Sequence, residues 1–262
     1  MHTFVVLAYK ESEYLEECIK SVLNQSESTN VVIATSTPNK YIDAISKKYN
    51  LKVLINDSKE KGIGKDFNFA VHCVDTKLVT IAHQDDIYDF DYVKKITENY
   101  KKYDDSIILF TDYYEIRKNQ KVYSNFNLKI KRLLLSSLRI KKLSHLKINK
   151  RNVLRFGNSI CCPAVTFVGN KRKNKVFNNT FKCNVDWEAW EILSRKTGKF
   201  IYIREKLVGH RVDDSTTTSD IIKQGIRTKE DLEMFKKFWP YFIAKIINKL
   251  YKNSERSNIV KE

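Results

Sequence analysis

The most informative segment for the fold of this chain is Leu78-Val79-Thr80-Ile81-Ala82-His83-Gln84-Asp85-Asp86. Its first five residues are mostly apolar and β-branched, which predicts a strand buried on both faces. Two adjacent carboxylates follow almost at once. Because parallel α/β sheets bind ligands beyond the carboxyl ends of their strands, the sequence predicts a functional site at Asp85 and Asp86.

Apolar runs at Phe4–Ala8 and Val31–Ala34 predict further buried strands, Leu51–Ile55 predicts another strand, and segments with helical spacing separate them. This alternation is typical of βαβ units, so we expect an α/β fold with a mostly parallel central sheet. The second half is less regular. There we predict helix through the basic stretch Asn127–Lys150 and a strand within Ile160–Val168, with Pro163 indicating a sheet edge.

Length and composition limit the class of protein. The chain has 262 residues, of which 42% are apolar and 30% charged. It can therefore bury one large core, and it is neither disordered nor a repeat array. No apolar run approaches the ~20 residues that span a bilayer. The five cysteines form no CxxC pair, which favours a reducing compartment, and we expect a cytoplasmic protein.

The net charge of +17 is concentrated in one region. From Ile116 to Val185 there are 18 Lys or Arg and no Asp or Glu, so the rest of the chain is close to neutral. Such a region attracts nucleic acid, anionic lipid or a phosphorylated substrate. The alternative is an ordinary solvated face of a lysine-rich protein.

The pair Asp85 and Asp86 has two interpretations. Carboxylate oxygens are hard ligands for Mg²⁺ or Mn²⁺, which in turn bind phosphate. The pair could instead provide an acidic N-cap for the following helix. The buried strand directly before it favours the metal site.

Several segments together resemble family 2 glycosyltransferases of the GT-A fold. The nucleotide-binding half of that family is similar to Phe4–Tyr9, the helix to Gln25, Val31–Asn39, Gly62–Ala70 and His83–Tyr88. Asn184–Trp190 resembles its Glu-Asp-Trp catalytic segment, and Gly209–Thr217 resembles its Arg-x-His-x-x-Ser-x-Thr segment. The resemblance implies a Rossmann-like central sheet with flanking helices and a C-terminal helical extension. It also implies transfer of a sugar from a nucleotide-diphosphate donor, with Mn²⁺ or Mg²⁺ on the diphosphate.

The resemblance also implies roles for single residues. Asp86 would bind the metal, with His210 as a further ligand, although Asp213 stands where the family often has a histidine. The implied donor-binding residues are Ala8, Tyr9, Glu11, Thr35, Lys65, Asp66, Asp85 and Arg211. Family members often carry an Asp at the tip of the second strand to read uracil. This chain has Thr35-Ser36-Thr37 there, so the identity of the nucleotide base in the donor stays open.

The catalytic base implied by the resemblance is Asp186, with Glu188 as the alternative. A base is required because the acceptor hydroxyl loses its proton as it attacks the anomeric carbon. Asp186 could instead only cap the helix that follows. Trp187 and Trp190 could stack on an acceptor sugar, or they could be buried. The family inverts the anomeric centre, and Ser215–Thr217 is expected to close over the departing diphosphate.

We expect a glycosyltransferase domain at 1–220, with a nucleotide-sugar half at 1–115, an acceptor half at 116–220 and a helical extension at 221–262. The apolar stripe from Phe235 to Tyr251 either packs on that domain or lies on an anionic membrane with the basic run. The implied acceptor is a glycan or lipid-linked sugar in surface polysaccharide synthesis, handled by a protein peripheral on the inner membrane face.

Two other functions remain open at this point. A nucleic-acid binder would explain the charge, but no recognisable nucleic-acid motif is present, and we expect no nucleic-acid partner. A nucleotidyltransferase would need a Gly-rich loop after the first strand, and Lys10-Glu11-Ser12 has no glycine.

Overall fold

A computed structural model describes residues 1–59, 62–169, 175–212 and 226–256. Its strands are β1 (His2–Ala8), β2 (Asn30–Thr35), β3 (Lys52–Ile55), β4 (Leu78–His83), β5 (Ile87–Tyr88), β6 (Ser106–Arg117), β7 (Gln120–Val122), β8 (Val165–Val168) and β9 (Lys199–Arg211). Its helices are α1 (Leu15–Leu23), α2 (Lys40–Lys48), α3 (Ile63–His72), α4 (Tyr92–Lys102), α5 (Phe126–Leu134), α6 (Lys147–Asn152), α7 (Val185–Ser194), α8 (Ile226–Lys236) and α9 (Tyr241–Arg256).

The first four strands form an all-parallel part of one sheet, in the order β3-β2-β1-β4. Val5 on β1 pairs with Val32 on one side and Ile81 on the other. Both Val5 and Ile81 are buried, as apolar strands covered on two faces require. The predicted βαβ alternation is confirmed, and the carboxyl ends of these strands meet at one edge.

The sheet continues as β8-β6-β9-β5, and β8 is antiparallel to both of its neighbours. The prediction of a sheet edge at Pro163 is therefore wrong. Pro163 lies in a 3-10 turn, Cys162–Ala164, directly before β8, so it occupies no position in the ladder and β8 can pair on both sides.

The helix predicted across Asn127–Lys150 is broken. After α5 come two 3-10 turns, Leu135–Leu138 and Lys141–Leu143, and then α6. Ser144 donates its hydroxyl to the carbonyl of Lys141, and Ser137 donates to the carbonyl of Asn149. Such local bonds compete with helix continuation, and the turns bury Leu135 and Leu138.

The C-terminal helices pack on the sheet domain. Phe235 on α8 and Ala244 on α9 belong to the same core as Trp187 and Trp190. Pro240 separates the two helices, as expected of a residue that starts a new helix.

The long strand β9 brings distant residues to the carboxyl edge. It runs parallel to β6, and its far end pairs with β5, where Gly209 lies opposite Ile87. A Cβ at Gly209 would come within 2.7 Å of the Tyr114 ring, so glycine permits this close approach. The pairing places His210 and Arg211 next to Asp86.

Candidate active site

The acid turn, His83–Asp86, begins at the end of β4. The amide of Asp86 donates to the carbonyl of His83 at 3.2 Å, which closes the turn. The alternative in which the acidic pair caps the next helix is wrong, because β5 intervenes and α4 begins only at Tyr92. The turn instead faces the end of β9.

Asp86 is completely buried, and its two carboxylate oxygens have different surroundings. Oδ1 accepts the backbone N–H of Arg211 at 2.9 Å and lies 3.0 Å from Nδ1 of His210. Oδ2 has no hydrogen-bond donor among the described residues, and Nδ1 of His83 is 3.8 Å away. A buried carboxylate oxygen without a donor is costly, so it fits a site for a cation.

His83, Asp85 and Asp86 each offer a ligand atom, and these atoms lie within 4.8 Å of one another. Two carboxylates and an imidazole suit Mn²⁺ or Mg²⁺, so the residues present fit the divalent ion that the sequence analysis expects. His83 was missed there, although its position between a buried strand and two acids could have indicated it. His210, the expected further ligand, contacts the opposite oxygen of Asp86.

Opposing effects set the protonation of the acid turn. Burial would raise the pKa of Asp86, but His210, His83 and the Arg211 amide together hold that pKa below its ordinary value. Burial and the charge of Asp86 raise the pKa of Asp85. Burial would lower the pKa of His210, and the neighbouring carboxylates raise it overall. A cation between these acids would relieve their mutual repulsion.

Expected donor residues cluster at the ends of β1 and β2. Ala8 and Thr35 are both buried at these ends. Asp66, on the first turn of α3, accepts from the Ser36 hydroxyl at 3.0 Å and from the Asn56 amide at 2.8 Å. The structure therefore joins the tips of β2 and β3 through one of the predicted residues.

Tyr9 connects β1 with the acid turn. Its backbone N–H donates to the Gln84 side chain at 2.9 Å, and its carbonyl accepts from the same amide at 3.1 Å, while its ring is exposed. Glu11 is exposed in the loop that follows, and Lys65 is half-buried in the first turn of α3.

Arg211 holds the acid turn against α1. Its guanidinium donates to Glu17 at 2.7 Å, to Asn119 at 3.0 Å and to the Asp85 carbonyl at 3.1 Å. It also lies 3.9 Å from the Tyr14 ring centroid. The side chain thus positions the turn, and its expected contact with the donor stays a prediction.

Asp186 lies in the first turn of α7, two residues beyond the N-cap Asn184. Its Oδ2 accepts from the Asn158 amide and its Oδ1 from the Trp187 N–H, both at 2.7 Å. Burial raises the pKa of Asp186 despite these two donors. A half-buried, oriented carboxylate with a raised pKa is suited to accept a proton.

Glu188, the alternative base, has a different environment. It is buried, and Lys237 donates to its Oε1 at 2.9 Å. Trp187 and Trp190 are completely buried, so of the two alternatives for these side chains burial is confirmed and stacking on an acceptor is excluded. This side of α7 packs against the C-terminal helices.

The carboxylates from the two halves of the chain lie near one turn. Burial raises the pKa of the Cys161 and Cys162 thiols, and the charges of Asp86 and Asp186 both raise it further. Asp86 from the first half of the chain and Asp186 from the second therefore both act on the segment directly before β8.

Lys131 on α5 also reaches this region. Its ammonium group donates to the Tyr113 hydroxyl at 2.8 Å, and the Tyr113 ring lies 6.1 Å from the His210 ring. Its positive charge counteracts the rise in the pKa of Asp186. Neither Lys131 nor Asn158 was predicted as a site residue. Asp213 and Ser215–Thr217 lie outside the described residues.

Comparison with known proteins identifies the family. A family model described as glycosyl transferase family 2 matches residues 3–177. The chain belongs to glycosyl transferase family 2. The enzyme is therefore a glycosyltransferase, which decides between the functions left open above. No curated protein matches the chain.

Solved structures show the fold of this glycosyltransferase. A fragment of S. aureus TarS, residues 1–349, has a TM-score of 0.61 at 15% identity, over 94% of this chain and 69% of that one. The same fragment with UDP-GlcNAc has a TM-score of 0.60 at 14% identity, over 98% and 72%. The mannosyltransferase PcManGT from Pyrobaculum calidifontis, with GDP-Man and Mn²⁺, has a TM-score of 0.61 at 12% identity, over 94% and 69%. The transferase thus has the GT-A fold.

Proposed function

We propose that this protein is a metal-dependent, inverting glycosyltransferase. It moves a sugar from a nucleotide-diphosphate donor to a glycan or lipid-linked acceptor in surface polysaccharide synthesis. The observation that carries the proposal is the buried Asp86, whose Oδ2 has no donor among the described residues and lies in a cluster with His83 and Asp85. Nucleotide-bound and Mn²⁺-bound complexes of proteins with this fold support it.

The donor lies along the carboxyl edge of the parallel strands. Its base contacts the region of Ala8, Tyr9 and Thr35, and the Asp66 network orders the tips of β2 and β3 behind it. His83, Asp85 and Asp86 would hold a divalent ion, which would neutralise charge on the diphosphate. Lys131 adds a positive charge that favours departure of the nucleotide.

Asp186 acts as the base. It accepts the proton of the acceptor hydroxyl while that oxygen bonds to the anomeric carbon. The bond between that carbon and the diphosphate oxygen breaks on the opposite face, so the configuration inverts. Asn158 orients the carboxylate through its 2.7 Å bond to Oδ2.

The test is a panel of nucleotide-sugars, with donor hydrolysis measured in Mn²⁺ or Mg²⁺. We expect turnover of a restricted set of donors, and a higher melting temperature with nucleotide diphosphate plus Mn²⁺. Asp86→Ala should abolish both effects, whereas Asp104→Ala, at an exposed loop acid, should change neither. Persistence of the Mn²⁺-dependent stabilisation in Asp86→Ala would contradict the proposal.

The domain division at 1–115, 116–220 and 221–262 follows from this assignment of donor, acceptor and extension. Among the described residues, no helix has the length and apolarity needed to cross a bilayer. We place the enzyme in the cytoplasm, peripheral on the inner membrane face, where a lipid-linked acceptor is accessible.

A further inference from the structure

Helix α9 carries apolar residues on two opposite sides. Ala244, Asn248 and Tyr251 face the protein, and Tyr251 packs 5.5 Å from the Phe235 ring. Asn248 donates to the carbonyl of Thr228 on α8 at 3.1 Å. The inner side therefore fixes the helix to the domain, and the residues on its other side are held in a defined orientation.

The outer face of α9 consists of an apolar row, Phe242, Ile246 and Leu250, and a lysine row, Lys245, Lys249 and Lys252. The apolar side chains are 66%, 62% and 66% exposed. Spacings of three and four residues place each row along one line of the helix. Such exposure of large apolar groups in a continuous row is a mark of an interaction surface.

Charge indicates which partner fits this face. From Tyr241 to Lys252 the helix has no Asp or Glu, and all three lysines are exposed. An apolar row beside a lysine row matches the acyl and headgroup layers of an anionic bilayer. Long lysine side chains can extend to the headgroups while the apolar row enters the acyl boundary.

Aromatic and cationic groups occur beside the start of α9. The Arg155 guanidinium lies 3.8 Å from the Trp239 ring centroid and 5.3 Å from that of Phe156, which is exposed. The Trp239 indole N–H donates to the Arg155 carbonyl at 2.8 Å. Aromatic rings with polar attachments are enriched at the membrane–water interface.

A second copy of the chain fits this face less well. Three side chains expose roughly a few hundred Å², below the ~800 Å² per partner of a stable interface. Two chains of net charge +17 also repel each other.

We propose that the outer face of α9 is the surface that docks this enzyme on an anionic membrane. The apolar row enters the interface, the lysine row contacts lipid phosphates and the remainder of the domain stays in water. The inference specifies the surface behind the peripheral location proposed above, but it does not depend on the transfer reaction.

Vesicle sedimentation of the full chain tests the proposal. We expect binding to phosphatidylcholine vesicles containing about a third phosphatidylglycerol, little binding to pure phosphatidylcholine, and release by salt. Replacing Lys245, Lys249 and Lys252 together by Gln should weaken binding about 100-fold at low salt. The triple variant Phe242→Gln, Ile246→Gln, Leu250→Gln should weaken it at least about 10-fold.

The matched control is Phe126→Gln, Ile130→Gln, Leu133→Gln on α5, where three apolar side chains are also exposed beside lysines. It should keep wild-type binding. Unchanged binding by the α9 apolar variant, or equal loss in both apolar variants, would overturn the assignment. So would a concentration-dependent dimer that only the α9 apolar variant abolishes. Donor hydrolysis of each variant in solution, expected at the wild-type rate, separates failure of docking from failure of the proposed activity.

Discussion

The parallel half of the sheet and the basic region at 116–185 relate to the sequence in opposite ways. In the first, the apolar runs of β1 and β4 became buried strands, and the acid turn after β4 placed the buried Asp86 beside His83 and Asp85. In the second, part of the charge pairs with acids: Arg132 pairs with Asp112 at 2.7 Å, and Arg151 pairs with Glu191. Cations in a dense basic segment can therefore form ion pairs with acids elsewhere in the chain.

Lys150 is the extreme case within the basic region. It is 1% exposed, and its ammonium group donates to the carbonyls of Lys196 at 2.5 Å and Gly198 at 2.9 Å. Burial lowers its pKa to about 8. Lys129, in contrast, is exposed on α5. The cations of the basic region therefore differ in role. Some stabilise the fold, some are proposed to act in catalysis, and others are exposed to solvent.

The largest expected effect tests whether Asp186, in the second half of the chain, takes part in the reaction. Asp186→Asn keeps an oxygen that can accept the Trp187 N–H but removes the base, so donor turnover should fall about 10²–10⁴-fold. Donor binding, followed by calorimetry, should stay at the wild-type value. Glu188→Gln is the control and should retain turnover, since Glu188 pairs with Lys237. A donor turnover rate near that of the wild type for Asp186→Asn would show that Asp186 is not the base.

The next test separates structural from surface cations. Lys150→Met leaves two buried carbonyls without their donor, and the free energy of unfolding should fall by about 1–3 kcal/mol. Lys129→Met should change it by less than about 0.5 kcal/mol. Urea unfolding measures the free energy of unfolding of both variants. Similar values for the two would show that the hydrogen bonds of Lys150 do not stabilise the fold.

A smaller effect is expected for Lys131, whose hydrogen-bond partner Tyr113 lies beside His210. Lys131→Met should lower kcat about 10-fold, because a positive charge near the departing diphosphate is lost. Steady-state kinetics with the donor found in the panel measure this change, with Lys129→Met as the control. Equal rates for the two variants would place Lys131 with the surface cations.

The smallest effect is a shift along the pH axis. Burial raises the pKa of Asp186, and the Asn158 amide counteracts that rise by donating to the carboxylate. Asn158→Ala should raise this pKa further. Because the base acts when ionised, the acid limb of the kcat/KM profile should move to higher pH, with near wild-type rates above it.

Asn152→Ala, whose side chain contacts Arg155 instead, should leave that limb in place. A profile for Asn158→Ala that is scaled down at every pH without a shift would mean that Asn158 serves folding only.

The residues of the candidate site differ in whether the sequence alone could predict them. Asp86 could be found because a buried strand leads directly to it, and the adjacent His83 had the same signal. Asn158 lies in an irregular segment, where no periodicity indicates which side chain faces the site. Lys131 lies on α5 among many other cations of the basic region, and nothing in its local sequence distinguished it from them. Tyr14 and Glu17 at the start of α1 and Asn119 after β6 contact Arg211 from parts of the chain far from it in sequence, so these contacts required the folded arrangement.

Short-range patterns of burial and spacing were enough to predict the βαβ half, the acidic pair after β4 and the resemblance to family 2. The folded molecule was needed to learn which cations are buried, that β8 is an interior strand, and that the two sides of α9 differ in exposure. These outcomes depend on which surfaces meet across long separations in the chain. The local sequence gives the identity of each side chain, whereas tertiary packing decides which groups surround it.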